Sequence, residues 1–385
     1  MKKKIIFLLY TPVNKSIYER FGFDIFFKNN WDVECWLMST KFNELLDEDL
    51  FYKKHKNFIR FKSFKECQKH IKNLPSKFFF VDDWDRNILC NILQYKLVKK
   101  GGIKIVFNTN IPVEYNIRLK IFLNQKKTLG GIMNLFFKLL SLIYRRILYT
   151  ILLPKPKYLF CGGNLISKKF KGGFTEVVPS YQFDYQKYLD IKNQDKIKEY
   201  ENSIVYIDQA YENNYDLELA NIDHPTNEKF HWNSLNSFFG FLNKNTNKKI
   251  LIAAHPRRDK TIKINTPHRV IYGETEHLIK NAALVITHDS TAVNLAILFN
   301  KPLMFVTTNE IEKAKIFFFS IKKFAKELNT HETNISKLDK INLKNLFNFD
   351  KDAYRRWIGL YIRSPETNIK DLWPDFIKFI ENKIV

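Results

Sequence analysis

Two short polar segments in the second half of the chain have residue types that could bind a charged group. One is His-Pro-Arg-Arg at 255–258, directly after the apolar run Ile250–Ala254, and the other is His-Asp-Ser-Thr at 288–291, after the apolar run Ala283–Thr287. Guanidinium groups match phosphate oxygens, an imidazole can donate a hydrogen bond, and hydroxyls add further donors. These residue types predict a site for an anionic ligand, and a phosphate is the best match.

The two segments should lie at one edge of a parallel sheet. Both preceding runs, and a third at Pro302–Val306, are short and bounded by polar or turn residues, which is typical of buried parallel strands. Ligands of open α/β sheets bind beyond the carboxyl ends of the strands. The predicted phosphate ligands are His255, Arg257, Arg258, His288, Ser290 and Thr291.

The backbone after the second segment should add to this site. A helical pattern covers Ala292–Leu298, and a helix that opens at Ser290 or Thr291 offers free N–H groups and the positive end of its dipole. Asp289 would repel a phosphate, so we expect it to face away or to orient His288. The alternative is that Ser290 only caps the helix and that the arginines are solvated.

The first half of the chain alternates strand and helix patterns. Strands are predicted at Ile5–Tyr10, Val33–Met38, Phe78–Val81, Ile103–Phe107 and Tyr158–Phe160, and helices at Ser16–Asn29 and Arg86–Lys99. This alternation indicates a parallel, doubly wound α/β sheet. No glycine pair forms the G-x-G-x-x-G fingerprint, so a dinucleotide cofactor is not expected.

Length and composition agree with two globular domains. A chain of 385 residues with 45% hydrophobic residues can form two cores. Its four cysteines have no metal-ligand spacing, which favours a reducing compartment over a disulfide framework or a zinc site. The apolar start lacks a small-residue cleavage site and is interpreted as a first strand rather than a signal peptide.

An excess of positive charge predicts an anionic partner. The chain has 63 Lys and Arg against 40 Asp and Glu, a net charge of +23. The lysines are spread through every segment and no nucleic-acid-binding module is recognisable, so we expect no nucleic acid partner and favour an anionic membrane surface.

Residues 130–153 support the membrane prediction. This segment is strongly apolar but contains Lys138, Arg145 and Arg146, which would be costly inside a bilayer and argue against a span. Apolar residues with interspersed cations suit an interfacial helix, and the alternative is a helix packed against its own domain. The membrane interpretation predicts a cytoplasmic protein that is peripheral to the inner face of the cytoplasmic membrane.

Three motifs resemble, in type and order, those of bacterial sialyltransferases and polysialyltransferases. They are His255-Pro256, the turn Gly273-Glu274-Thr275 and the pair Ser290-Thr291, all within Ser203–Thr308. The resemblance implies a GT-B fold, in which two Rossmann-like domains with parallel sheets face each other across a cleft and a C-terminal helix crosses back. It also implies that His255 and the two hydroxyls contact the phosphate of cytidine monophosphate, and that His255 could protonate the departing CMP.

The same family has an acidic general base in an Asp/Glu-Asp/Glu-Gly motif. The nearest match is Asp-Gln-Ala at 208–210, after the apolar run Ile204–Ile207, and it lacks the second acid and the glycine. Asp208 is the predicted base, because an inverting transfer needs a group that takes the proton of the acceptor hydroxyl. It could equally start a loop. Alternative acids are Asp24, Asp82, Asp83 and Asp85.

The turn before the predicted helix Thr275–Asn281 has two interpretations. Gly273 and Glu274 could bind the nucleoside, with Glu274 accepting a hydrogen bond from the ribose or the base. Alternatively, Glu274 only favours the dipole of the helix that follows.

These patterns predict an N-terminal acceptor-side domain at 1–185, a nucleotide-sugar-binding domain at 200–349, and helices at 350–385 that pack back on the first domain. The polar stretch at 182–202 would connect the halves. The predicted enzyme is an inverting glycosyltransferase that moves a sialic-acid-like nonulosonate from a CMP-linked donor to a bacterial surface glycan or glycolipid. It would need no metal and no cofactor, because no Asp-x-Asp motif lies at a convincing strand end.

Two other functions fit the same patterns. One is a GT-B glycosyltransferase that uses a UDP-, GDP- or ADP-sugar. The other is a non-catalytic basic protein that binds membranes or nucleic acid.

Overall fold

The described part of the chain forms two compact α/β units. The computed structural model describes residues 3–9, 13, 15–37, 57–83, 88–108, 154–165, 175–214, 217, 222–256, 258, 263–330 and 332–383. Unit 1 takes its described residues from the stretches up to 108, from 154 to 181 and from 364 onward. Unit 2 takes its described residues from Gln182–Arg363.

In chain order, the described strands are β1 (Lys4–Leu9), β2 (Asp32–Leu37), β3 (Phe58–Arg60), β4 (Phe78–Asp83), β5 (Gly102–Asn108), β6 (Tyr158–Gly162), β7 (Glu176–Ser180), β8 (Ile204–Ile207), β9 (Ile250–Ala253), β10 (Arg269–Ile271), β11 (Leu284–Thr287), β12 (Leu303–Thr307) and β13 (Glu332–Asn334). The helices are α1 (Lys15–Arg20), α2 (Phe23–Lys28), α3 (Phe64–Lys72), α4 (Ile88–Lys99), α5 (Phe183–Ile191), α6 (Glu228–Thr246), α7 (Thr275–Asn281), α8 (Val293–Leu298), α9 (Asn309–Lys313), α10 (Lys315–Glu327), α11 (Lys351–Trp357) and α12 (Leu372–Glu381).

The two units contain parallel sheets with the same core order. The sheet of unit 1 runs β3-β2-β1-β4-β5-β6-β7 and that of unit 2 runs β10-β9-β8-β11-β12-β13, with every described pair parallel. Numbered within each unit, both contain the Rossmann order 3-2-1-4-5-6. The order reverses between the first and fourth strands, which are β1 and β4 in unit 1 and β8 and β11 in unit 2. These are the topological switch points.

The sheet of unit 2 is buried on both faces, which explains its uninterrupted apolar strands. Alternate residues of β8 point to opposite faces. Ile204 and Tyr206 belong to a core with Trp232 and Phe239 of α6. Val205 belongs to the core on the other face, together with residues of α8, α10 and α11.

The C-terminal part of the chain is shared between the units. Helix α11 and the π-helical turn Ile358–Ile362 belong to unit 2, where Trp357 Nε1 donates to Asn294 Oδ1 over 3.0 Å. Helix α12 belongs to unit 1, where Trp373 Nε1 donates to the carbonyl of Arg20 over 2.9 Å. The C-terminal residues that belong to unit 1 begin at Ser364.

Two predicted elements differ in the structure. The predicted helix Ser16–Asn29 is divided into two helices, α1 and α2, because Gly22 between them has a left-handed φ of 60°. A Cβ at this position would lie only 2.4 Å from Trp373 Cδ1. The predicted connection at 182–202 contains α5 and lies within unit 2. Apart from the segment 130–153, the other strands and helices predicted above lie within two residues of described elements.

Two further sequence expectations concern the cysteines and the membrane segment. Cys35, Cys67, Cys90 and Cys161 are buried free thiols. Burial raises the pKa of Cys67 and of Cys161 to about 12. No described helix has the length and hydropathy needed to span a membrane. The segment 130–153 lies outside the described residues.

Candidate active site

Asp208 follows β8 directly and is enclosed by donors. Its Oδ1 accepts from Ala210 N–H at 2.8 Å and from Arg258 Nη2 at 3.0 Å. Its Oδ2 accepts from Arg258 Nε at 2.7 Å and from His255 N–H at 3.3 Å. Burial raises the pKa of Asp208, but the bonds and charge of Arg258 outweigh burial and lower it overall. The carboxylate of Asp208 is therefore buried and bonded to donors on both oxygens, and its role as general base stays a prediction.

Arg258 ties the His-Pro segment to the interior of unit 2. Its N–H donates to the carbonyl of His255 at 3.0 Å and closes a turn. Its Nη2 also donates to Glu212 Oε1 at 2.7 Å. Burial opposes its charge, but Asp208 and Glu212 raise the pKa of Arg258 above its ordinary value. The side chain is only 6% exposed, and its contact with a phosphate stays a prediction.

The buried groups around Arg258 do not balance in charge. Asp208 and Glu212 are two carboxylates against one guanidinium. The second Glu212 oxygen lies 3.7 Å from His231 Nε2, and neither atom has a hydrogen-bond partner in the described structure. Burial lowers the pKa of His231 although both carboxylates raise it.

The donor atoms of Asp208, Glu212 and His231 lie close enough together to be considered as metal ligands. Arg258 already places a cation between the two carboxylates. A metal ion there would have to lie beside this guanidinium, and the repulsion would oppose its binding. We therefore regard Arg258 as the cation of this cluster.

Gln209 joins the two strands of the switch point. Its Oε1 accepts from Thr287 Oγ1 at 3.2 Å and from the N–H groups of His288 and Asp289 at 3.0 and 3.2 Å. Its Nε2 donates to Asp289 Oδ1 at 2.6 Å, and Tyr211 donates to the same oxygen. This amide therefore fixes the loop after β11 relative to the end of β8.

Ala210 keeps a backbone conformation that normally favours glycine. Its φ is 49°, in the left-handed region. In the sequence it stands where the family motif has its glycine. The left-handed conformation of this alanine costs about 1 kcal/mol in backbone strain.

His288 lies in the core rather than at the surface. Its Nδ1 donates to the carbonyl of Val306 at 2.7 Å, and its ring stacks on Tyr211 with centroids 4.9 Å apart. Burial, and then the neighbouring His231, lower the pKa of His288 to about 3. It is therefore neutral and out of contact with solvent, and its role as a phosphate ligand stays a prediction.

His255, Ser290 and Thr291 are the predicted ligands that the structure leaves accessible. His255 and Ser290 are half-buried and Thr291 is exposed. Ser290 Oγ accepts from Ala292 N–H at 3.2 Å, and its O–H can still donate. The short helix α8 begins at Val293.

The strand order places these accessible residues on both sides of β8. His255 follows β9 and the two hydroxyl residues follow β11, and these strands are the two neighbours of β8. Adjacent strands are about 4.8 Å apart, so the two strand ends are about 10 Å apart. A ligand that contacts both must extend across the end of β8. Arg257 lies outside the described residues.

The turn at 273–274 remains accessible beside β10. Gly273 is exposed, has φ 77° and has no atom within 4 Å of an added Cβ. Glu274 Oε2 accepts from Tyr200 OH at 2.8 Å, and its side chain makes no capping bond to α7. These contacts do not test the prediction that Gly273 and Glu274 bind the nucleoside, which stays a prediction.

The alternative acids have different surroundings in unit 1. Asp82 pairs with the buried Lys104 at 2.8 Å. Asp83, the last residue of β4, and Asp24, in the first turn of α2, are exposed. Asp85 lies outside the described residues.

Five residues of the site were not found from the sequence: the buried Gln209, Tyr211, His231 and Trp232, and Glu212, whose side chain is 2% exposed. Gln209 could have been found, since it stands where the motif has its second acid. His231 and Trp232 come from α6, about twenty residues downstream, and nothing in the local sequence indicated a contact with Glu212.

Comparisons with known proteins establish the fold. The chain is similar to the wall teichoic acid polymerase TagF, with a TM-score of 0.52 at 12% identity over 100% of this chain and 89% of that one. It is similar to spinosyn forosaminyltransferase SpnP, with a TM-score of 0.51 at 8% identity over 99% and 100%. A putative UDP-N-acetylglucosamine 2-epimerase from Listeria monocytogenes gives 0.50 at 11% over 94% and 92%.

No protein-family model and no curated protein matches the chain. At these identities the structural likenesses concern the fold alone. The predicted fold class is confirmed: an α/β chain with two Rossmann-like domains and parallel sheets, as in GT-B proteins.

Proposed function

We propose that this protein is an inverting GT-B glycosyltransferase that transfers a sialic-acid-like nonulosonate from a CMP-linked donor to a bacterial surface glycan. The observation that carries the proposal is the switch point of unit 2. There, the ends of β9 and β11 present an imidazole and two hydroxyls on either side of β8. Ligands of open α/β sheets bind at such points.

In the proposed reaction the acceptor oxygen attacks the anomeric carbon, the bond to the CMP oxygen breaks, and the acceptor proton passes to a base. His255, Ser290 and Thr291 donate hydrogen bonds to the departing phosphate and stabilise its growing negative charge. Arg257 retains its predicted role as a phosphate ligand. His255 can also protonate the leaving CMP. Side chains supply the positive charge, so no metal is required.

Arg258 has a positioning role in this proposal. Through its bonds to Asp208 and Glu212 it holds the turn in which His255 lies. Asp208, at the carboxyl end of β8, stays the proposed general base, and Asp24, Asp82, Asp83 and Asp85 stay the alternatives.

The primary test is donor hydrolysis by the purified protein with CMP-, UDP-, GDP- and ADP-activated sugars, together with a thermal-shift panel of the free nucleotides. We expect turnover of a CMP-nonulosonate and a rise in Tm with CMP alone. Turnover of a UDP-, GDP- or ADP-sugar instead would support the alternative donor class. No turnover of any donor would favour the non-catalytic alternative.

A matched pair of histidines tests the site. His255→Ala should lower kcat by about a hundredfold or more, which is typical of a lost acid or charge-stabilising donor. The control is His224→Ala, from the second His-Pro sequence, whose ring contacts the carbonyl of Tyr211 within a polar loop. It should keep kcat within about twofold. Equal losses in both variants would contradict the assignment.

The membrane partner belongs to the same proposal. Its support is the net charge of +23 and the apolar, cation-containing stretch at 130–153. We expect the protein to sediment with vesicles that contain anionic lipid and to remain unbound with neutral ones. Neutralising Lys138, Arg145 and Arg146 should release it.

A further inference from the structure

Unit 2 has a polar cleft that is separate from the switch point. It has a volume of about 730 Å³ and follows the edge strand β13, between the first residues of β12, the end of α10 and the irregular segment at 337–350. The candidate site residues follow β8, β9 and β11, and none of them lines this cleft. A ligand of the cleft would therefore occupy a second site.

The lining has the chemistry of a saccharide site. Its amides are Asn329, Asn334, Asn342, Asn345 and Asn348, and two threonines accompany them. An amide offers donors and an acceptor together, which matches the hydroxyls of a sugar. The volume falls in the range of specific ligand pockets.

The cleft is also positively charged. Lys337, Lys340 and Lys344 are exposed along it and pair with no carboxylate within the described part of the chain. Its acids are both engaged. Glu332 pairs with Lys322 at 3.5 Å, and Asp350 accepts from Asn329 at 2.6 Å and from two N–H groups of α11. An anionic ligand would meet three cations and no unengaged acid.

The aromatic residues of the cleft argue against a nucleic acid. Phe349 stacks on Tyr354 with centroids 4.8 Å apart, and Tyr354 is buried. The lining therefore gives bases no exposed pair of rings to stack on, which single-stranded nucleic acids usually require.

We propose that this cleft binds the anionic glycan product, a saccharide chain whose sugars carry carboxylates. This inference rests on the proposed function, since nonulosonate transfer adds a carboxylate with each sugar. The lysines bind the carboxylates and the amides bind the hydroxyls. A chain held there would stay with the enzyme between transfers.

The test is titration of the full-length protein with oligosialic acid of defined length at 150 mM salt, with a neutral oligosaccharide and a single-stranded oligonucleotide as comparisons. The variant K337A/K340A/K344A should bind oligosialic acid about tenfold more weakly, as expected for three surface charge pairs. The matched control K313A/K315A/K326A removes the same charge from exposed lysines of unit 2 outside the cleft, and it should bind like the parent. Donor hydrolysis should be unchanged in both.

Each result bears on one of the two proposals. Equal weakening in both triple variants, or tighter binding of the oligonucleotide than of oligosialic acid, would overturn the cleft assignment and leave donor hydrolysis to support the proposed function. If only the cleft variant binds oligosialic acid more weakly and the protein turns over no CMP donor, the cleft assignment stands and the transferase proposal is overturned.

Discussion

One buried cation of unit 1 is Lys104, a residue within β5, whereas one buried cation of unit 2 is Arg258, in the loop after β9. Lys104 pairs with Asp82 of β4, and Gln94 bonds to both side chains. Arg258 pairs with two carboxylates that follow β8. Both units have the same strand order around their switch points.

The two ion pairs therefore stabilise different parts of their units: the sheet in unit 1 and a loop in unit 2. In unit 1 the charged pair joins two neighbouring strands and stabilises the sheet itself. In unit 2 the pair lies beyond the strand ends and holds a turn that carries an accessible histidine. A buried ion pair is a weak source of net stability but is costly to break, so in unit 2 it serves to fix the loop.

Removing the cation of each unit should separate these roles. Arg258→Met should destabilise the protein by about 3–5 kcal/mol, because two buried carboxylates lose their partner. Lys104→Met should cost less, about 1–3 kcal/mol, because Asp82 is 15% exposed and can be hydrated. Urea unfolding measures both. A larger loss for Lys104→Met would reverse the comparison.

The packing of α12, the last helix of unit 1, offers a second test. Gly22→Ala should cost about 2–3 kcal/mol, because the new Cβ would lie 2.4 Å from Trp373 Cδ1 at a φ of 60°. The control is Gly240→Ala in α6 of unit 2, where nothing lies within 4 Å. That change should be neutral or stabilising by up to about 1 kcal/mol. Tm measurements suffice, and equal shifts would argue against the packing of α12.

As the pH falls, unit 2 should lose folding stability at a higher pH than unit 1. The folded pKa of His288 is about 3 against an ordinary value of 6.5, so its contribution is complete above pH 6.5 and is lost as pH falls towards 3. At pH 5 the loss is about 2 kcal/mol. Glu34 in unit 1 has a pKa of about 2, because bonds from His70 and Lys4 outweigh burial, so its contribution is lost only below pH 4.5.

His288→Asn is the matching variant for the pH experiment. It should flatten the dependence of Tm on pH between 6.5 and 5, while Glu34→Gln should leave that interval unchanged. A parent protein whose Tm is constant from pH 7 to pH 5 would contradict the buried neutral histidine.

The smallest change in stability is expected for Glu212, the second carboxylate beside Arg258 in unit 2. Glu212→Gln removes one of two carboxylates beside a single guanidinium and keeps an oxygen that can accept from Arg258 and Trp232. We expect less than about 1 kcal/mol of change in the free energy of unfolding. A loss near that of Arg258→Met would show that both carboxylates are needed.

Much of the framework could be predicted from the sequence. The runs at 250–254, 283–287 and 302–306 became β9, β11 and β12, because a strand covered on both faces must be apolar along its length. Strands β3, β10 and β13 have three residues each. They are too short to show a period, and their positions depend on pairing with a neighbour.

That an imidazole, arginines and hydroxyls follow successive strands could be predicted from the chain, since strand ends are set by local pattern. Which of these residues face solvent depends on how the whole unit is folded. Arg258 and His288 carry the same chemistry as their accessible neighbours, but their carboxylate and carbonyl partners lie tens of residues away in sequence or on another strand. Burial depends on those distant contacts, and no local spacing encodes them.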